Sequence, residues 1–169
     1  MSAKDRPVLL TGKAGDAFEM WIEGYQFPEA DNPHQRFSWY MIGGRATTAD
    51  EEWTFRWKAL TCDEPPRISA WLRRAASWTE GEAPDAPGRL TFTEPNLAFD
   101  TTTRIGNLAR LEVALDYEFG PPTQAVGQRR PGREPAVVRI EVCGDDLRSA
   151  ADHLDEDIAR YPDGSPPPR

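Results

Sequence analysis

Two histidines and two cysteines are the side chains best suited to carry chemistry in this sequence. His153 and Asp157 stand four residues apart on one face of a predicted helix, and this spacing can bring two ligands to one metal ion. A solvated polar pair on a helix surface accounts for the same spacing. His34 lies in a turn among proline and asparagine residues. We therefore predict no metal site from the histidines.

Cys62 and Cys143 show no C-x-x-C spacing, and acidic residues follow each of them in the sequence. Neighbouring carboxylates oppose formation of the thiolate, so neither cysteine is predicted to be an activated nucleophile. Free thiols are expected in a reducing cytosol, and a disulfide between the two remains the alternative. The sequence contains no H-E-x-x-H, P-loop, G-x-G-x-x-G or G-x-S-x-G motif. These observations predict a non-catalytic protein without a cofactor.

Charge limits the class of partner. The 169 residues include 28 acidic and 20 basic side chains, which gives a net charge of -8. A protein that follows a phosphate backbone needs a cationic surface, so direct nucleic-acid binding is not expected. An acidic protein instead favours a cationic partner.

The distribution of apolar residues predicts a cytoplasmic protein. No apolar run approaches the roughly 20 residues that cross a bilayer, so we expect no membrane association. The N-terminal segment contains one short apolar patch, 8–10, among charged residues. That patch is too short and its surroundings too charged for a secretory signal.

Hydrophobic periodicity predicts a mixed succession of strands and helices. Alternation of apolar and polar residues indicates strands at about 18–24, 37–42, 52–60, 90–93, 97–100, 107–119 and 137–142. Apolar residues at three- and four-residue spacing predict helices at about 65–79, opened by Pro65-Pro66, and at about 145–161, capped by Asp145. Short connections between most strands favour antiparallel pairing.

This order predicts an α+β domain, namely a curved antiparallel sheet of about six to seven strands with two helices packed on one face. Residues 1–15 are expected to be a flexible lead and 16–162 a single domain. Within the domain, the proline-rich and basic loop 120–136 is expected to be mobile. Residues 163–169 form a proline-rich tail.

The predicted strands have one apolar face and one charged face. Trp53, Phe55 and Trp57 share the apolar side of one strand, and the charged side of the sheet is predicted to include Arg56, Lys58, Glu112, Asp116 and Glu118. A checkerboard of ion pairs that keeps the sheet hydrated explains this pattern. A recognition surface for another protein is the alternative.

Acidic residues are concentrated in the last predicted helix. Residues 145–163 contain seven acids and two arginines, for a net charge of -5. The candidate partner-binding residues here are Asp152, Asp155, Glu156 and Asp157. They are either a solvated outer face or a patch that steers a basic partner.

Four short segments together resemble one family of known proteins. They are Gly24-Tyr25-Gln26-Phe27-Pro28, the run Leu90-Thr91-Phe92-Thr93-Glu94-Pro95-Asn96-Leu97, Leu111-Glu112-Val113 leading to Pro121-Pro122, and Asp146-Leu147 with Ala150-Ala151. Their order and spacing resemble the WapI-type immunity proteins, small cytosolic antitoxins encoded beside contact-dependent polymorphic toxins. The resemblance implies a protein that binds and neutralises a toxin domain, often a nuclease, and it implies no catalytic residue.

Two other functions remain open from the residues alone. The first is a small-molecule-binding or enzymatic α+β domain with a pocket between sheet and helices. The second is a structural homo-oligomer that pairs through an exposed edge strand. For the immunity function we expect a monomer or a weak dimer.

Overall fold

A computed structural model describes residues 7–122 and 134–164 and contains two four-stranded antiparallel sheets. The first sheet has the order β1-β2-β3-β4, with β1 at Val8–Thr11, β2 at Ala17–Tyr25, β3 at Trp39–Thr47 and β4 at Glu52–Thr61. The second has the order β5-β6-β7-β8, with β5 at Leu90–Thr91, β6 at Leu97–Ile105, β7 at Leu108–Leu115 and β8 at Ala136–Cys143. The predicted α+β class is confirmed. The strands form two sheets instead of one, because alternation shows which residues share a face but not which strands pair.

Two long helices and one helical turn accompany the sheets. Helix α1 is the single turn Pro33–Arg36, α2 is Pro65–Thr79 and α3 is Gly144–Arg160. Pro65 begins α2 as predicted, whereas Cys143 and not Asp145 occupies the N-cap of α3. Helices α2 and α3 pack against each other, α3 contacts β1, β2 and β8, and α2 contacts β7. The helices therefore bridge both sheets and do not cover one face of a single sheet.

The first sheet has one more strand than the sequence predicted, and its strand β3 is longer than predicted. Strand β1 lies within 1–15, the range expected to be a lead, and pairs with β2 from Val8 opposite Met20. Strand β3 passes through Gly43-Gly44, where the predicted strand ended, and continues to Thr47. The glycines do not break the strand because aromatic side chains of β2 and β4 pack over them.

The second sheet is bounded by turns that the alternation pattern did not reveal. Strand β6 continues to Ile105, and Gly106, with φ of 60°, reverses the chain in a two-residue turn. A glycine with positive φ at the first turn position is typical of a tight hairpin. Strand β7 ends at Leu115, and the residues predicted to continue it form a 3-10 turn, Tyr117–Phe119.

One apolar core lies between the sheets and the helix pair. Phe18 of the first sheet meets Phe99 of the second edge to face at 5.7 Å, and Trp71 of α2 lies 5.5 Å from the same ring. Trp53 and Phe55 are buried as predicted, but Trp57, on the edge strand β4, keeps 38% exposure. Sheets and helices therefore share one hydrophobic cluster.

Parts of three expected segments fall outside the described residues. Most of the basic loop 120–136, namely 123–133, is among them. The same holds for 1–6 of the lead and 165–169 of the proline-rich tail.

Gly44 provides a test of the packing between β3 and β4. A Cβ at this position would overlap the Phe55 ring and the carbonyl oxygen of Glu19, and the backbone oxygen cannot move aside. We expect Gly44→Ala to lower the free energy of unfolding by about 1–3 kcal/mol in urea denaturation. In Gly12→Ala, the new Cβ would meet its nearest neighbour at 3.5 Å, so this control should change stability by less than about 0.5 kcal/mol. Equal stability of both variants would contradict the packing described.

Candidate interaction surfaces

Two of the candidate acids on α3 join that helix to α2. Asp152 and Asp155 each lie 2.7 Å from Arg73 Nη2, and Asp155 also accepts a hydrogen bond from Ser69 Oγ at 2.6 Å. Hydrogen bonds to Asp155 and Asp152 raise the pKa of the Arg73 guanidinium. These carboxylates hold the helices together, and Asp152 remains 67% exposed.

Asp157 lies inside the protein and not on the outer face of α3. Its carboxylate accepts a hydrogen bond from the Ile22 backbone N–H at 3.2 Å and pairs with Arg160 at 2.9 Å. The pairing of β1 with β2 ends at Val8 opposite Met20, and Ile22 lies two residues beyond that point. Asp157 therefore supplies the hydrogen-bond acceptor for β2 where β1 no longer pairs with it. Burial raises the pKa of Asp157 despite these two favourable contacts. A side chain that is 1% exposed cannot contact a partner in this conformation, so Asp157 is removed from the candidate surface.

The outward-facing acids of α3 form a row along the helix. Asp145, Asp146, Asp152 and Glu156 are exposed. Arg148, between them in sequence, pairs with Glu80 at the end of α2. A hydrogen bond from Arg148 lowers the pKa of Glu80. The acidity of this surface is therefore only partly offset by arginine.

The predicted charged face is divided between the two sheets. On the outer side of the second sheet, Arg110 pairs with Glu141 at 2.6 Å and Arg139 pairs with Glu112 at 3.1 Å. Cross-strand register places each of these pairs directly opposite. This surface matches the checkerboard of ion pairs.

The outer side of the first sheet is different in composition. Arg56 pairs with Glu23, and Lys58 Nζ lies 5.2 Å from the centroid of the Trp39 ring. Trp21 lies in the same area, and its buried Nε1 has no hydrogen-bond partner among the residues that the structure describes. This side of the protein therefore combines tryptophan, arginine and glutamate side chains.

Asp116 and Glu118 belong to the 3-10 turn and not to a strand face. Asp116 caps the turn by accepting from the Tyr117 N–H at 2.9 Å, and Glu118 accepts from Asn96 Nδ2 at 2.7 Å. Tyr117 has φ of 51°, a conformation that is uncommon for a bulky residue. The two acids thus support the junction between β7 and the turn.

The segments that carried the family resemblance form polar junctions of the fold. The buried Glu64 carboxylate accepts hydrogen bonds from Thr61 N–H at 2.9 Å and from Thr93 N–H at 2.7 Å. It thereby joins the end of β4, the start of α2 and the connection between β5 and β6. Tyr25 donates its hydroxyl proton to the Pro162 carbonyl. These contacts give Thr93 and Tyr25, which lie in two of those segments, defined structural roles.

Cysteine and histidine take structural positions. Burial raises the pKa of Cys62 to about 12, which leaves the thiol protonated. Both cysteines are free. His153 Nδ1 lies 3.2 Å from the Pro7 carbonyl oxygen. Within the part of the chain that the structure describes, no group of three or more His, Cys, Asp or Glu side chains is arranged to hold a metal ion.

The fold and these surfaces define a two-sheet α+β protein with charged outer faces. A model of the Immunity protein WapI-like family matches residues 9–162, nearly the whole chain, and the chain belongs to this family. Neither a curated protein nor a solved structure gives a significant match. None of the helices in residues 7–122 and 134–164 combines the length and apolar character needed to span a membrane.

Asp157 predicts a specific dependence of stability on pH. Because its pKa is raised in the folded state, the folded protein holds that proton more tightly than the unfolded chain. Its contribution to the free energy of unfolding is largest in acid and falls as the pH rises above the ordinary aspartate pKa of about 3.9. The free energy of unfolding of Asp157→Asn minus that of the wild type should therefore increase between about pH 3 and about pH 6.

Urea denaturation across this range measures the difference. Asp152→Asn removes the same charge from the exposed side of α3 and is the matched control. The buried position of this carboxylate would be contradicted if the free energy of unfolding of Asp157→Asn, relative to the wild type, decreased with pH. It would also be contradicted if Asp157→Asn and Asp152→Asn showed the same dependence on pH.

Proposed function

We propose that this protein is a non-catalytic immunity module that binds and neutralises a cognate toxin domain. The family match over residues 9–162 is the observation that carries the proposal. Several candidate acids make ion pairs and hydrogen bonds within the fold, which accounts for them without a catalytic role.

We further propose that the toxin domain is basic and nuclease-like. A nuclease presents a cationic cleft to its substrate, so an acidic inhibitor is suited to approach it. The net charge of -8 and the exposed acids of α3 support this choice. Asp152 and Glu156, with Asp155 behind them, are the proposed steering residues.

The proposed action takes place in the cytoplasm, by a monomer or a weak dimer. The two free cysteines support this compartment, since cytosolic thiols stay reduced. Arg56, Lys58, Glu112, Asp116 and Glu118 remain candidate contacts, although Glu112, Asp116 and Glu118 also make the contacts within the fold described above.

Co-expression with the toxin domain encoded by the neighbouring gene tests the proposal. We expect the two chains to co-purify at low salt, and we expect the toxin activity to be lost at equimolar immunity protein. Light scattering of the mixture measures the stoichiometry. A toxin domain that stays active and unbound with an equimolar folded chain would overturn the proposed function.

Charge reversal on α3 tests the steering. We expect Asp152→Lys/Glu156→Lys to slow association with that toxin domain by about tenfold at low salt and to weaken the salt dependence of the rate. The control Glu29→Lys/Asp31→Lys changes the net charge equally at exposed positions outside α3. Stopped-flow fluorescence measures both rates, and circular dichroism verifies folding. Equal association rates for the two variants would place the steering charges elsewhere.

A further inference from the structure

The outer side of the first sheet contains a groove next to Gly43, a position at which Trp21 and Glu23 pack closely against the strand. The groove has a volume of about 520 Å³ and is lined by residues of β2, β3 and β4, among them Trp21, Arg45 and Arg56. A Cβ on Gly43 would lie 2.6 Å from Trp21 Nε1 and 2.6 Å from Glu23 Oε1. The absence of a side chain at Gly43 therefore leaves room for the Trp21 indole to pack against the strand.

Strand register brings the two arginines to one place. Arg45 pairs with Thr54, and Gly43 pairs with Arg56, so the arginines are diagonal neighbours across β3 and β4. Diagonal neighbours on a sheet face are separated by about 7–8 Å at Cα, within reach of long side chains. Both arginines are exposed, whereas Glu19 and Glu23 are only partly exposed. The charges that project farthest from this groove are positive.

The ion pairing of this face is incomplete, in contrast to the second sheet. Arg56 pairs with Glu23, but Arg45 makes no ion pair with any residue in the described part of the chain, and neither does Glu19 beside it. The Trp21 N–H likewise has no acceptor. Leu9, opposite Glu19 on the outer face of β1, is 44% exposed. The face thus combines an open guanidinium, an unpaired indole N–H and exposed apolar surface.

These features are those of a protein-binding surface. Tryptophan and arginine are enriched among the residues that contribute most to binding energy, and they occupy pockets near the centre of interfaces. Arg45 makes no ion pair among the described residues and can bind a carboxylate through paired N–H groups, and Arg56, whose Nε pairs with Glu23, adds a second positive charge to the groove. The outer side of the second sheet has its arginines already occupied by Glu112 and Glu141.

We propose that the outer face of the first sheet is the docking surface for the toxin domain, with an Asp or Glu side chain of that domain bound by Arg45 in the groove that Trp21 and Arg56 also line. This inference rests on the proposed function, because it names the surface that performs it. A carboxylate on an otherwise basic partner is consistent with steering by α3, since steering depends on the field of the whole molecule and docking on local pairs.

Titration calorimetry with the toxin domain encoded by the neighbouring gene tests the surface. We expect Arg45→Glu to raise the Kd at least about tenfold and Arg45→Lys to retain most of the affinity. Arg110→Glu, on the second sheet, changes the net charge equally and should alter the Kd less than about twofold. Gly43→Ala should also weaken binding, because its methyl group displaces Trp21 and Glu23 into the groove.

The outcomes separate the surface from the function. Wild-type binding combined with unchanged affinity of Arg45→Glu, or an equal loss in Arg110→Glu, overturns the docking surface and leaves the immunity function intact. Tighter binding by Arg45→Glu overturns the acidic occupant. Absence of a wild-type complex overturns the proposed function and the occupant together. Titration with inorganic phosphate tests for a small-anion site instead. If Arg45→Glu abolished phosphate binding but kept toxin binding, the groove would be a small-anion site and the proposal that it binds a protein carboxylate would be overturned.

Discussion

The contact of Phe18, Phe99 and Trp71 is the junction on which the architecture depends. These rings come from the first sheet, the second sheet and α2. The centroids of the Phe18 and Trp71 rings lie 5.7 Å and 5.5 Å from the centroid of the Phe99 ring. Each sheet is apolar on one side only, and neither can bury that side alone. The sheets therefore share one core with the helix pair, and their charged sides face outward.

A shared core requires polar residues wherever the elements meet. Asp157 supplies an acceptor to β2, and Glu64 joins β4, α2 and the β5–β6 connection. Asn96 donates to Glu118 beside the 3-10 turn. Much of the acidity that distinguishes the sequence is thus used within the protein. The exposed acids of α3 and Arg45 of the first sheet are the residues that we propose to contact a partner.

The sequence predicted the elements well where a single periodic pattern covered them. Helix α2, the meander β2-β3-β4 and the α+β class follow directly from spacing and turn chemistry. Division into two sheets was not predictable, because the partner of a strand is decided by long-range packing. The path of β3 through Gly43-Gly44 was missed because the compensating rings come from β2 and β4, which are distant in sequence.

The candidate surfaces show the same limit. Charge alternation placed Glu112 on an outer face, but it also assigned Asp116 and Glu118 to the strand, although they lie at the 3-10 turn. It could not separate the paired arginines of the second sheet from Arg45, which has no ion pair among the described residues. Arg45 carries no local signal, since its neighbours in space come from other strands. Asp157 appeared to be one acid among several on α3, and only its position opposite Ile22 reveals that it is buried.

Hydroxyl-radical footprinting of the chain, free and bound to the toxin domain encoded by the neighbouring gene, tests the central claim most directly. Leu9, on the outer face of the first sheet, is 44% exposed, and Ile105, on the hairpin of the second sheet, is 43% exposed. Oxidation of Leu9 and Trp21 should fall in the complex while that of Ile105 stays unchanged. Protection of Ile105 with continued oxidation of Leu9 would contradict the docking of a toxin domain on the first sheet.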